Sequence, residues 1–416
     1  MYRENKNYSK SHSMDLFLKD IEDVNNENRQ YAQKRKIVAL LNRSEKPLTI
    51  PGICKKVKLS IPTGTKLINE LIDNKIIIET GKKETDNGRR PSLYKVDPDY
   101  AYCIGIVVLL KGLSFSVYNL EMDEVFTFED ENFVLENTRE CLDSVVEFIR
   151  GSISKSGINR SRVLGMGVGI TGRVNSRTGH SYNYFNFLKE SLTDFFSEKF
   201  LFPVYIDNDT HVLGLAEQFF GKAKNIKNAF VVNLSRGLGL AVIANGEIVV
   251  GEQGFAGEFG HIQFAESDKL CLCGKRGCLG TEVSGYALEQ NFQQQTEAGE
   301  TSLLLTNKES REIKYEDILQ AASEGDALSI SLIHNIGFKI GKALGNMINL
   351  LNPGVIIVGG EFVSAKEILI DSIKSGMTHT GLLLPLRSCE LIFSSIGADA
   401  ASKGAAAIVL RSLQLI

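Results

Sequence analysis

The chain has 416 residues, 43% hydrophobic and 23% charged, the make-up of a globular protein with room for two or three domains. Its net charge of −3 is unevenly spread: residues 29–95 hold 16 Lys and Arg against 6 Asp and Glu, and residues 1–28 hold 4 against 6, which leaves an excess of 11 negative charges on the rest. No run approaches the ~18 apolar residues of a membrane span, and the first residues lack the apolar stretch of a signal peptide, so a cytoplasmic protein free of the membrane is expected.

Residues 1–28 are polar and read as a tail. Residues 29–98 read as a winged helix-turn-helix domain. Ile37-Val-Ala-Leu-Leu41 gives the apolar face of a first helix, ended by Pro47. Thr49 caps a short second helix with Pro51 in its first turn. Ser60 or Thr63 caps a third, with Leu67, Ile68, Leu71 and Ile72 as its apolar stripe. Residues 75–79 and 92–96 read as two strands of a hairpin wing around a basic loop. This order, on a basic background, predicts binding to double-stranded operator DNA. Thr63, Thr65, Lys66 and Asn69 lie on the non-core side of the third helix, within reach of a major groove. Lys82, Lys83, Arg89 and Arg90 of the wing suit phosphates or a minor groove. Paired recognition helices on palindromic DNA imply a homo-dimer or tetramer.

Residues 99–416 form the body. Buried strands are expected at 102–110 and 163–170, and again at 229–234 and 239–243. Hairpins and helices between them suggest an α/β body built twice. Asn245-Gly246 is a hairpin turn signal. Residues 205–210 end a strand in Asp-Asn-Asp ahead of an apolar helix. Carboxylates there suit either a ligand or a helix cap. His261, Cys271, Cys273 and Cys278 fall within 18 positions, and Gly274 and Gly277 allow the backbone to fold back. Imidazole and thiolates in fours suit one structural zinc ion per chain.

Gly257-Glu-Phe-Gly-His261 followed by Cys-x-Cys-Gly-x-x-Gly-Cys resembles the signature of the ROK family of repressors and sugar kinases. The likeness spans nearly the whole chain from about residue 30. The segment from Gly88 to Asp99 is similar to the join between winged helix and body in the family's repressors, a module its kinases lack. The resemblance implies an actin-like, two-lobed body with a zinc loop. It implies a sugar or sugar-derivative effector in the body's cleft, contacted by Asn208, Asp209, Glu258 and His261, with Asp209 matching the kinases' base. His261 would then put one ring nitrogen on zinc and the other toward sugar. Residues 167–172 resemble the glycine-rich loop beside the sugar, and Asn183 or Asn186 is a further candidate.

Two departures matter. The family's kinases carry Asp-x-Gly-Gly-Thr in the first hairpin, where this chain has Val107-Val-Leu-Leu-Lys111. Leucines at 109 and 110 leave a phosphate without hydrogen bonds, and Ser235-Arg-Gly-Leu-Gly239 matches the second phosphate loop only in part. The expectation is therefore a sugar-responsive repressor of carbohydrate genes with no catalytic residues. The alternative is a sugar kinase fused to a DNA-binding module. In addition, Gly280 stands where the family motif has a glutamate, with Glu282 two positions on.

Overall fold

The computed structural model describes residues 26–84, 90–264, 268–306, 309–397 and 399–416. Residues 1–25 of the polar tail, and Arg89, lie outside them. The described residues divide into two compact units: those up to 212 with 401–416, and those of 213–400. The basic N-terminal segment and the last helix both group with the first lobe.

In the first unit, helix α1 (Asn26–Arg43) buries Ile37, Val38 and Leu41. Helix α2 (Ile50–Val57) is capped by Thr49, whose hydroxyl accepts from the Gly52 N–H at 3.2 Å. It ends where Lys58 turns into the left-handed region. Helix α3 (Ile61–Asp73) is capped by Ser60, which accepts from the Thr63 N–H at 3.3 Å. It buries Gly64, Leu67, Ile68 and Leu71. Strands β1 (Ile77–Lys82) and β2 (Ser92–Val96) pair antiparallel, Ile77 opposite Val96. β1 starts two residues later than expected, because Lys75 has φ 60° and its N–H is spent on the Ile72 carbonyl in the turn out of α3.

The first lobe's sheet has the order β5-β4-β3-β6-β9, from β3 (Tyr102–Val108), β4 (Lys111–Tyr118), β5 (Glu124–Val134), β6 (Val163–Ile170) and β9 (Val204–Asn208). The first three form an antiparallel meander, and β6 and β9 add in parallel. A two-residue ladder, β7 (Val174–Asn175) with β8 (His180–Ser181), lies in the connection. Helices α4 (Arg139–Ser156) and α5 (Leu192–Phe200) bury Leu142, Val145, Ile149, Phe196 and Phe200 in the core of this lobe. Helix α13 (Ala400–Ser412) returns to the same sheet. A Cβ at Gly105 would collide with the Ser402 carbonyl, and one at Gly167 with the Ala405 carbonyl. The Tyr118 hydroxyl lies 2.9 Å from that of Ser402. Beyond α13, the Asn42 side-chain amide donates to the Leu415 carbonyl at 3.5 Å and Arg43 donates to Ile416 O at 2.9 Å.

The strand expected at 163–170 is present, and it takes in the first part of residues 167–172. Residues 163–170 are strand β6, where Gly167 makes room for a helix and Gly169 for Val212. Only Thr171 and Gly172 lie in the loop that follows.

The second unit repeats the plan. β10 (Ala229–Leu234), β11 (Leu238–Ala244) and β12 (Glu247–Ile248) form an antiparallel meander, turned at Asn245-Gly246 with both residues at positive φ. β13 (Val355–Gly359) and β14 (Glu390–Phe393) add in parallel, giving β12-β11-β10-β13-β14. The helices of this unit are α6 (Asp209–Phe219, entered from the first unit), α7 (Gly280–Val283), α8 (Gly285–Glu297), α9 (Tyr315–Ser323), α10 (Ala327–Leu351), α11 (Lys366–Thr380) and α12 (Leu383–Ser388). Gly337, Gly341 and Gly345 recur every four residues along α10, and a Cβ on any of them would strike Ser372, the Ile373 carbonyl or Thr380. The Thr380 hydroxyl donates to the Lys342 carbonyl across this contact at 2.7 Å. Among the described residues no helix is long and apolar enough to cross a membrane.

Candidate functional site

His261 ends the 3-10 turn Phe259–His261, and its Nδ1 lies 3.4 Å from the Sγ of Cys271. Cys273 and Cys278 bring their sulfurs within 3.6 Å of each other, and all four ligand atoms lie within 4.8 Å. Gly274 and Gly277, at φ 83° and 76°, close the knuckle, and the Cys271 N–H donates to the Lys275 carbonyl at 2.8 Å. A tetrahedron with zinc–sulfur bonds of ~2.3 Å has sulfur–sulfur edges of about 3.8 Å. The spacing and the donors therefore fit a four-coordinate metal with no open position. Burial, with Cys273 and Cys271 adding to it, pushes the Cys278 thiol up to about 12. A cation at the centre is what makes such sulfurs thiolates together. The other ring nitrogen of His261, Nε2, faces Glu258 Oε2 at 3.6 Å.

Glu282 has a different place. Its side chain is only 7% exposed, with Oε2 2.7 Å from Lys339 Nζ of α10 and Oε1 3.4 Å from Lys269 Nζ. Lys269 also donates to the Asn291 side chain at 3.1 Å. The carboxylate thus lies between two lysines, one from α10 and one from the approach to the knuckle. Sequence reading missed this network, since nothing in the spacing links 269, 282 and 339.

In the first unit, the end of β9 gathers a second polar group. Asn208 donates through Nδ2 to the Gly172 carbonyl at 2.8 Å. The Thr210 N–H donates to Asn208 Oδ1 at 2.9 Å and Asp209 Oδ1 at 2.8 Å, so both residues also cap α6. Burial raises the Asp209 pKa, opposed by hydrogen bonds from Thr171, Thr210 and Asn208. Asn183 packs against Gly172 and accepts from the Arg173 N–H at 2.8 Å, whereas Asn186 bonds the Tyr182 carbonyl and Asn137 instead. Asn183 is thus the one that joins this group. Nothing in the sequence signals that Asp207, near the end of β9, and His211, in the first turn of α6, form a buried pair at 2.8 Å.

The stretch at 107–111 closes as a tight hairpin: the Leu109 N–H donates to the Gly112 carbonyl, and the Leu110 carbonyl accepts from Leu135. Leu109 and Leu110 are half-buried there. In the second unit Arg236 turns onto Glu289, at 3.4 Å, and over the Tyr286 ring.

On the N-terminal segment, Thr63, Lys66 and Asn69 are exposed and Thr65 is half-exposed along α3. Lys82, Lys83 and Arg90 are exposed on the hairpin. Thr63 also belongs to the cap, its hydroxyl 2.8 Å from that of Ser60.

The α/β body with its Cys/His knuckle is of the kind shared by sugar kinases and related regulators, and the basic helical segment ahead of it points to the regulators. Residues 121–412 match the model of the ROK family, and the chain belongs to that family. It is 28% identical over 382 residues to the xylose repressor of Bacillus spizizenii, covering 91% of this chain and 94% of that one. It is 27% identical over 369 residues to the DNA-binding transcriptional dual regulator NagC of Escherichia coli, covering 86% and 89%. Among solved structures it resembles a ROK family transcriptional regulator, a homolog of the E. coli MLC protein. There the TM-score is 0.78 at 26% identity, over 93% of this chain and 97% of that one. The α/β architecture with N-terminal helices and an actin-like body of the sugar-kinase type is therefore that of a ROK regulator.

Proposed function

We propose that this protein is a sugar-responsive, DNA-binding transcriptional repressor of carbohydrate-utilisation genes. The observation that carries it is the basic three-helix and hairpin segment joined to a ROK body. Relatives covered over nearly their whole length are named a xylose repressor, a DNA-binding transcriptional dual regulator and a ROK family transcriptional regulator. In this reading residues 29–98 are a winged helix-turn-helix, with α3 in the major groove and Lys82, Lys83, Arg89 and Arg90 on the backbone or minor groove. His261, Cys271, Cys273 and Cys278 hold one structural zinc ion, and Asn208, Asp209, Glu258 and His261 are assigned to the effector. Effector binding favours one arrangement of a homo-oligomer and so changes DNA affinity.

The protein acts without phosphorylating its sugar. Half-buried Leu109 and Leu110 offer a phosphate neither charge nor donor, and Arg236 is engaged by Glu289. Gel-shift titration of DNA from the protein's own locus, with and without a panel of sugars and sugar phosphates, tests the proposal. Retardation relieved by one sugar is expected. Sugar-dependent ATP turnover, or indifference to every fragment, overturns it.

A further inference from the structure

Helix α3 buries Gly64, Leu67, Ile68 and Leu71 and turns its other side to solvent. Along that side Ile61, Thr65 and Asn69 follow one another at intervals of four, a ridge about 12 Å long. Asn69 is exposed and Thr65 half-exposed, as expected of polar residues. Ile61 is not: its side chain is 57% exposed, the one large apolar side chain so exposed among the described residues of 29–98. Ile37, Val38, Leu41, Ile53, Leu67, Ile68 and Leu71 of the three helices supply the buried core, and Leu40, Ile50, Val57 and Ile72 are half-buried. A single apolar residue on a surface needs no explanation by itself. Its place does need one. Ile61 is the first residue of the helix, on the ridge that carries Thr65 and Asn69, flanked by Lys58 and Lys66 in a segment of strong positive charge.

We propose that Ile61 packs against the 5-methyl group of a thymine in the major groove and fixes a T·A pair at that step of each half-site. The inference rests on the DNA-binding reading above and adds a base to it. The first residues of a recognition helix are those that meet base edges. In the major groove only thymine offers a methyl group, and apolar side chains read it by contact rather than by hydrogen bonding. The basic surroundings supply the attraction to the polyanion, and Ile61 supplies discrimination that charge lacks. Thr65 and Asn69 are left free to hydrogen-bond the neighbouring base edges.

Selection from a random duplex pool with the full-length protein gives a bound sequence. Each thymine of that sequence is then replaced, one at a time, by deoxyuridine, which deletes the methyl and nothing else. At one position per half-site the wild-type protein should bind about fourfold more weakly, the factor for losing one buried methyl. Ile61→Ala should bind the thymine and uracil duplexes equally, with its thermal midpoint and salt slope unchanged. Lys66→Ala, by contrast, should lower the salt slope by about one. If a sequence is enriched but no uracil position weakens binding, or Ile61→Ala keeps the wild-type uracil penalty, the thymine contact is wrong and the DNA-binding reading survives. If no sequence is enriched at all, that reading falls and the contact with it.

Discussion

Glu282 Oε2 lies 2.7 Å from Lys339 Nζ, and so the one-turn helix after the last knuckle cysteine is tied to the middle of the longest helix in the second unit. Lys269, two residues before Cys271, closes on the same carboxylate from the other side. The ion network therefore grips the Cys/His knuckle at both its entry and its exit.

Removing that charge should loosen the knuckle. Glu282→Gln leaves two lysines without their partner. A fully buried pair broken this way costs about 3–5 kcal/mol, and the part-exposed lysines bring the expected loss to roughly 1–3 kcal/mol. Urea unfolding measures it. Metal release to a chromogenic chelator should speed up in the same variant, and an unchanged release rate would uncouple the network from the knuckle.

The knuckle itself should hold one zinc ion per chain. Cys273→Ser and Cys278→Ser each remove a thiolate from a closed four-ligand shell. Elemental analysis should show metal falling from one equivalent toward none. A chelator should lower the thermal midpoint of the wild-type protein and leave that of the variants unmoved.

Asp209 should impose a pH dependence. Unfolded, it titrates near the ordinary aspartate value of 3.8, and in the fold burial raises its pKa. Between the two values folding takes up a proton, so stability falls as pH rises through that window, and the full cost of holding the charge is present above it. Asp209→Asn has no charge to hold. It should be more stable than wild type at neutral pH, and the difference should vanish below pH 3.8. Its response to the effector should be lost. Equal stability at neutral pH would show that the surrounding hydrogen bonds compensate the buried charge.

Gly341→Val should separate α10 from α11, because the added side chain points at the Ile373 carbonyl and Gly376, which cannot yield without moving a helix. Overpacking of this kind costs about 1–3 kcal/mol. Gly151→Ala, on α4 with open space around it, is the control expected to change little or to stabilise.

Much of this was legible in the chain. Caps at Thr49 and Ser60, the strand periodicity and the Asn245-Gly246 turn are local signals, and the helices and hairpins follow them. The clustering of His261 with three cysteines was legible because all four are close in sequence. Long-range partners were not. The approach of the Ala405 carbonyl to Gly167 and the pairing of Glu282 with Lys339 could not be read from the chain. Neither pairing leaves a trace in local composition, because each is made by tertiary packing between distant segments.

The return of α13 to the first sheet has a consequence for how the protein is born. Gly105 and Gly167 line a groove whose filling residues are translated only after the whole of the second unit. The nascent first lobe therefore waits, its interior open on one side, while the ribosome threads the whole of the second unit. Synthesis at a slowed pace, or a stop before residue 400, should expose that groove to chaperones.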